Sequence, residues 1–116
     1  GVMVGHLNVP GLSGTTPASI SPAAYALLRD ELAFEGLVFS DSLSMGAIAG
    51  TIPPESAAVQ SVAAGADVAL FVTIADPAAA ITALEQAVAD GSLPPSRVDE
   101  SVGRVLAAKG IDPCTL

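Results

Sequence analysis

Three short apolar runs divide the chain: residues 2–5 (VMVG), 36–40 (GLVFS) and 66–73 (ADVALFVT). Each is apolar on both faces, the pattern of strands in a parallel sheet covered on both sides. Between and after them the period lengthens to that of helices. Ser21-Pro22 reads as an N-cap and first turn. The segment PAAYALLRDELAF (22–34) carries Ala24, Leu27, Leu28 and Leu32 at helical spacing, with Gly36 beyond it as the stop. Pro54 opens a second helix that ends at Gly65. Asp76-Pro77 opens a third, with Ile81, Leu84 and Val88 on one face and Gly91 closing it. A fourth follows LPPS, with Val98, Val102, Val105 and Leu106 on one face, Gly110 as its end and Pro113 blocking continuation. Two stretches read as loops: LNVPGLSGTTPASI (7–20), broken by Gly, Pro, Ser and Thr, and SLSMGAIAGTIPP (42–54), with room for one helical turn.

The order is thus strand, helix, strand, helix, strand, helix, helix. The strands recur about every 30 to 35 residues, the length of one βα unit in a (β/α)8 barrel of roughly 250 residues. Three strands cannot close such a barrel, and they leave two edges unpaired. The expected architecture is α/β: residues 1–116 as about the last three βα units of a TIM barrel, with the earlier strands in another part of the protein. A small doubly wound sheet is the alternative. The opening on an apolar strand without a starting methionine fits a segment of a longer protein.

Composition narrows the function classes. Apolar residues make up 51% of the 116 and charged ones 14%, more apolar material than a free-standing domain of this size needs to hide. The net charge is −8, and the four basic residues, Arg29, Arg97, Arg104 and Lys109, are scattered. A nucleic-acid footprint needs them clustered, so no nucleic-acid partner is expected. No apolar run approaches the roughly 20 residues of a membrane-spanning helix, and no signal peptide is visible. One cysteine (Cys114) and one histidine (His6) form no metal-ligand set. No phosphate-binding loop is present either, since GAIAG lacks the following lysine, and no cofactor is expected. Cys114 is either an incidental terminal thiol or the partner of a cysteine outside this segment.

In parallel barrels the chemistry sits where strands end and βα loops begin. His6 follows the first strand, Asp41 the second, and Thr73 and Asp76 the third. Asp76, directly ahead of a proline-started helix, reads as a cap, and Thr73 as a strand-end hydroxyl. His6 is either a hydrogen-bonded rim residue or a functional one. Asp41 has no long helix close behind it; it either caps a short turn at 42–45 or carries a reaction.

The segment GLVFSDSLSMGAI (36–48) resembles the nucleophile segment of family 3 glycoside hydrolases, in the branch of bacterial β-N-acetylglucosaminidases, which typically reads G-[VI]-[VI]-F-[ST]-D-D-L-x-M. VMVGHLNVPGL (2–12) resembles the preceding strand of that branch with its small-residue-His dipeptide. LLRDELAFEGLVFSD (27–41) resembles its LLR-x-E-L-G-F-x-G passage, and LPPSRVDESVGRVLAAKG (93–110) its closing helix. The four segments cover nearly the whole chain in the right order.

The resemblance implies a retaining hydrolase that removes terminal β-linked N-acetylglucosamine from peptidoglycan fragments in cell-wall recycling. Asp41 takes the nucleophile's place, suited to forming and releasing a glycosyl ester. The serines on either side are expected to donate hydrogen bonds to its carboxylate. Met45 falls on the motif methionine and His6 on the rim histidine, so both are candidate substrate-binding residues. Met45's thioether suits the acetamido methyl. Ser42 departs from the pattern, standing where the branch has a second acid, which leaves Asp41 the only carboxylate of the motif. The branch's acid/base histidine, on a KHFPGHG-like loop, and its Arg and Lys-His sugar-binding residues have no counterpart here. The chain alone therefore holds half an active site, with the earlier part of the barrel as its implied partner. The alternatives are a non-catalytic barrel fragment, or a β-glucosidase or β-xylosidase of the same family. Relatives occur both in the cytoplasm and as exported, lipid-anchored proteins; AAKGIDPC (107–114) is closer to the exported kind.

Overall fold

The computed structural model describes residues 1–112; Pro113 and Cys114, expected as a helix stop and a terminal thiol, lie outside the described residues. Two strands, β1 (Val2–Val4) and β2 (Val38–Ser40), pair in parallel, with Val2 opposite Val38, Met3 opposite Phe39 and Val4 opposite Ser40. The helices are α1 (Pro22–Ala26), α2 (Gly46–Ala49), α3 (Pro54–Ala64), α4 (Pro77–Ala89) and α5 (Pro95–Ala108), with a 3₁₀ turn at Ala18–Ile20. Proline opens α1, α3, α4 and α5 at the first position, where its missing N–H removes no intrahelical bond. Asp76 caps α4 as its sequence position implies: its Oδ1 accepts from the Ala79 amide at 3.1 Å. Ser21 occupies the N-cap position of α1 but its side chain makes no capping bond.

The expected third strand departs from regular pairing. Residues 66–72 do run parallel beside β2, through an isolated bridge between Phe39 and Val68. Asp67 and Val68 donate to the Val38 carbonyl, and Ser40 donates to Val68. Beyond that point two of the bonds go to side chains, with one backbone bond remaining from Leu43 to Leu70. Leu70 N–H goes to Ser40 Oγ (2.9 Å) and Val72 N–H to Ser42 Oγ (3.0 Å), where a strand would offer carbonyls. Serine hydroxyls so placed satisfy the amides while ending the sheet.

The first helix also differs from its expected span of 22–34. After Ala26 it widens into a π turn over Leu27–Glu31. One extra residue per turn rotates the downstream positions by about 100°. Leu32, expected on the apolar face, is therefore carried outward and is 63% exposed. Ala33 then takes φ +49°, the left-handed region that closes a helix.

Three apolar clusters form the core. Val4, Val38, Tyr25 and Ala64 lie between the strands and α1 and α3; Ile20, Leu43, Ile48 and Ala57 lie under the loop after β2; Val62, Ala87 and Leu93 join α3 to α4. Gly65 lets α3 end against Tyr25: its φ is +133°, and a Cβ there would stand 2.6 Å from Tyr25 Cβ. Val4, Val38 and Ser40 face the helices, whereas Met3 is 56% exposed and Phe39 half-buried on the opposite face of the layer.

Candidate active site

β1 and β2 end side by side, so His6 and Asp41 stand on one rim at the carboxyl ends of the strands. The Asp41 amide prolongs the ladder by donating to the Val4 carbonyl at 2.9 Å. The period-two alternation of a strand puts Asp41 on the face of Phe39 and Met3, away from the helices. Its carboxylate is partly buried, and Oδ1 accepts from the amide of Ser42 at 2.7 Å. Among the described residues no hydrogen bond reaches Oδ2, so one carboxylate oxygen stays available to an incoming atom.

The neighbouring serines act differently from expectation. Neither hydroxyl bonds the Asp41 carboxylate. Ser40 Oγ is engaged by Leu70, and Ser42 Oγ by Val72 and, at 2.7 Å, by Ser44 Oγ. What holds Asp41 is the Ser42 backbone amide. Because that amide is diverted to Asp41, the next bond to the third segment comes from Leu43, whose N–H reaches Leu70 O at 2.8 Å. The extra residue on the β2 side between the Ser40–Val68 and Leu43–Leu70 bonds makes a bulge directly after Asp41.

Ser42 is buried and its carbonyl collects two donors, the Met45 amide (2.9 Å) and His6 Nε2 (2.8 Å). A carbonyl can only accept, so Nε2 carries a proton. In the neutral ring Nδ1 then accepts from the Ser19 hydroxyl, 2.6 Å away. Both ring nitrogens are thus occupied within the chain. Met45 follows on the same rim, 49% exposed at the N-cap of α2. Among the described residues no group of three or more His, Cys, Asp or Glu side chains is placed to hold a metal, and no helix is long and apolar enough to cross a membrane.

A second polar centre lies at the other end of β2. Asp67, its side chain fully buried, accepts from the Val38 amide (2.9 Å) and from three arginines: Arg29 at 2.6 Å, Arg97 at 2.7 Å and Arg104 at 3.1 Å. Burial alone would raise its pKa. The Val38 amide, Arg97, Arg29 and Arg104 outweigh that and hold the carboxyl below its ordinary range. Arginines scattered in sequence therefore converge on one acid. A groove of about 260 Å³ beside them is lined by Arg29, Arg97 and Arg104, but each of these is already ion-paired and the groove lies at the end of the layer opposite Asp41. The sequence carries one signal for this centre, an acid at the head of an otherwise apolar run in a chain with few charges.

Comparison with known families matches the glycosyl hydrolase family 3 N terminal domain to residues 1–108. The chain belongs to glycosyl hydrolase family 3. Within that family it is 50% identical, over a 119-residue alignment, to the β-hexosaminidase LpqI of Mycobacterium tuberculosis, covering 97% of this chain and 31% of the relative. To the β-N-acetylglucosaminidase/β-glucosidase of Cellulomonas fimi it is 38% identical over 119 residues, covering 93% and 21%. The solved structure of M. tuberculosis LpqI superposes with a TM-score of 0.90 at 48% identity, covering 97% of this chain and 34% of that one. The α/β fold is thus that of family 3 N-terminal domains, and the chain spans about a third of the length of the mycobacterial relative.

Proposed function

We propose that this chain is the carboxyl-terminal part of a family 3 catalytic barrel, about its last three βα units, and that it supplies the nucleophile of a retaining β-N-acetylglucosaminidase acting on peptidoglycan fragments. The observation that carries the reading is Asp41: a strand-end carboxylate on the rim, one oxygen held by the Ser42 amide and the other available. The identity to a β-hexosaminidase supports the sugar class. The uncovered face bearing Met3 and Phe39 is the side that the remaining strands would enclose.

In this mechanism Asp41 Oδ2 attacks the anomeric carbon. The bond to the leaving oxygen breaks as an acid outside this segment protonates it, and a glycosyl ester forms on Asp41. Water then attacks the same carbon, its proton taken by the group that gave one up, and the carboxylate is released. Met45 lines the pocket at the acetamido methyl. Alone, the segment has a nucleophile and no proton donor and is inactive.

A second reading keeps the chemistry and widens the sugar, since the Cellulomonas relative is named for both N-acetylglucosaminidase and glucosidase activities. The test uses the full-length protein with a 5-fluoro N-acetylglucosaminyl fluoride, which loads readily and hydrolyses slowly. The expected result is an added sugar mass within residues 36–45 that disappears in Asp41→Asn. Label on another carboxylate, or an active Asp41→Asn protein, overturns the assignment. Equal turnover of 4-nitrophenyl β-glucoside and its N-acetylglucosaminide would favour the wider sugar range.

A further inference from the structure

We infer that His6 is a positioning residue for Asp41, acting through the backbone of Ser42 and braced by Ser19; the inference rests on the reading of Asp41 as the nucleophile. Three consecutive links carry it. Ser19 Oγ meets His6 Nδ1 at 2.6 Å, His6 Nε2–H donates to the Ser42 carbonyl at 2.8 Å, and the Ser42 amide donates to Asp41 Oδ1 at 2.7 Å.

The base of this chain is rigid. Ser19 is fully buried, and its carbonyl accepts from both Tyr25 Oη (2.8 Å) and Ser61 Oγ (3.2 Å), hydroxyls on α1 and α3. The Ser42 hydroxyl is tied to the Val72 amide. The peptide groups on both sides of Ser42 are therefore fixed, the one before it to Asp41 and the one after it to His6. The Asp41 amide is the last to pair with β1, and at Ser42 the backbone ladder to the third segment is interrupted by the bulge. His6 is the side chain from the β1 side that holds the Ser42 carbonyl, beside the local bond from the Met45 amide. With both nitrogens spent on this task, the ring has no polar atom left for a sugar hydroxyl.

Loss of His6 should therefore misplace the attacking oxygen without removing a sugar contact. A displacement of about 1 Å costs on the order of 100-fold in rate. In the full-length protein, His6→Phe should lower kcat by about 30- to 100-fold and change KM by less than about 3-fold. His6→Gln, whose amide N–H reaches the position of Nε2, should recover most of the loss. The deficit should persist with a 2,4-dinitrophenyl leaving group, which needs no proton, whereas a proton-donating His6 would be rescued by it. A rise in KM at unchanged kcat, a deficit erased by dinitrophenyl, or failure of Gln to outperform Phe would each overturn the inference. Should His6→Phe fail to fold, Ser19→Ala decides: a kcat loss of about 3- to 10-fold at constant KM supports the relay, and wild-type kinetics refutes it. Asp41→Asn run in parallel separates the two readings. If it is active, the nucleophile assignment fails; if it is inactive while the His6 variants behave as wild type, only the relay fails.

Discussion

Asp41 and Asp67 bracket β2: Asp67 accepts from the amide of Val38, the first residue of the strand, and Asp41 follows Ser40, the last. The two acids are opposites in environment. Asp67 is fully buried and saturated by three guanidinium groups, while Asp41 is partly buried and only half engaged. One end of the strand is fastened by ion pairs, while at the other a carboxylate oxygen carries no hydrogen bond among the described residues.

The fastened end sets the acid stability. The Asp67 carboxyl is held below its ordinary pKa, so its contribution is complete above the unfolded value of about 3.9 and is lost as pH falls through the folded value. Asp67→Asn in the full-length protein should cost about 3 kcal/mol near neutral pH, because three arginines lose their counter-charge. The decline in stability below about pH 4 should be shallower in the variant. Urea melts at stepped pH check both; an unchanged acid slope would show that Asp67 is not the titrating group.

Tyr25 governs the other limb. Burial pushes its hydroxyl from 10.0 up to about 12. The folded state thus keeps a proton that the unfolded chain sheds, and stability should fall between about pH 10 and about 12. Tyr25→Phe, which loses the bond to Ser19 O, should be less stable at pH 7 by about 1 kcal/mol and should lack that component of the alkaline decline.

Gly65→Ala should be among the most damaging small substitutions in the chain. It forces φ +133° on an alanine and drives its Cβ to 2.6 Å from Tyr25 Cβ, for a loss of more than about 2 kcal/mol. A loss under about 0.5 kcal/mol, within the range of neutral surface changes, would contradict the close packing.

Ala33→Gly should act in the opposite direction. Ala33 sits at φ +49°, where a Cβ costs about 1 to 2 kcal/mol. Allowing for the greater unfolded freedom of glycine, the gain should be about 0.5 to 1 kcal/mol, readable as a shift in the urea midpoint at constant slope.

The segment of residues 1–116 expressed by itself should be molten or aggregated. Met3, Leu7 and Val72 are exposed, and the layer has open edges on both sides. Circular dichroism and amide dispersion test this, and a sharp cooperative melt of a monomer would count against the barrel-segment reading.

Local signals were readable from residues alone. The Asp76 cap, the proline starts and the ends of α3 at Gly65 and α4 near Gly91 depend on a few adjacent positions, and the structure has them where the pattern puts them. The rim placement of His6 and Asp41 followed from the parallel period. The features that escaped were non-local or nearly degenerate in energy. The π turn at 27–31 differs from an α turn by one residue and leaves no mark in the apolar spacing. The broken third strand depends on Ser40 and Ser42 meeting amides thirty residues away. Asp67 was hidden inside an apolar run because its partners lie at 29, 97 and 104, too far apart to suggest a common target.

The arrangement around Asp67 also imposes an order on biosynthesis. Val38 and Arg29 are made before it, but Arg97 and Arg104 on α5 follow it by 30 and 37 residues. While the nascent chain ends short of residue 104, the acid lacks part of its counter-charge and the strand it anchors is only partly secured. Only once α5 is in place does Asp67 have all three guanidinium partners, so a chain cut before residue 104 should hold this end of β2 less firmly than the intact one.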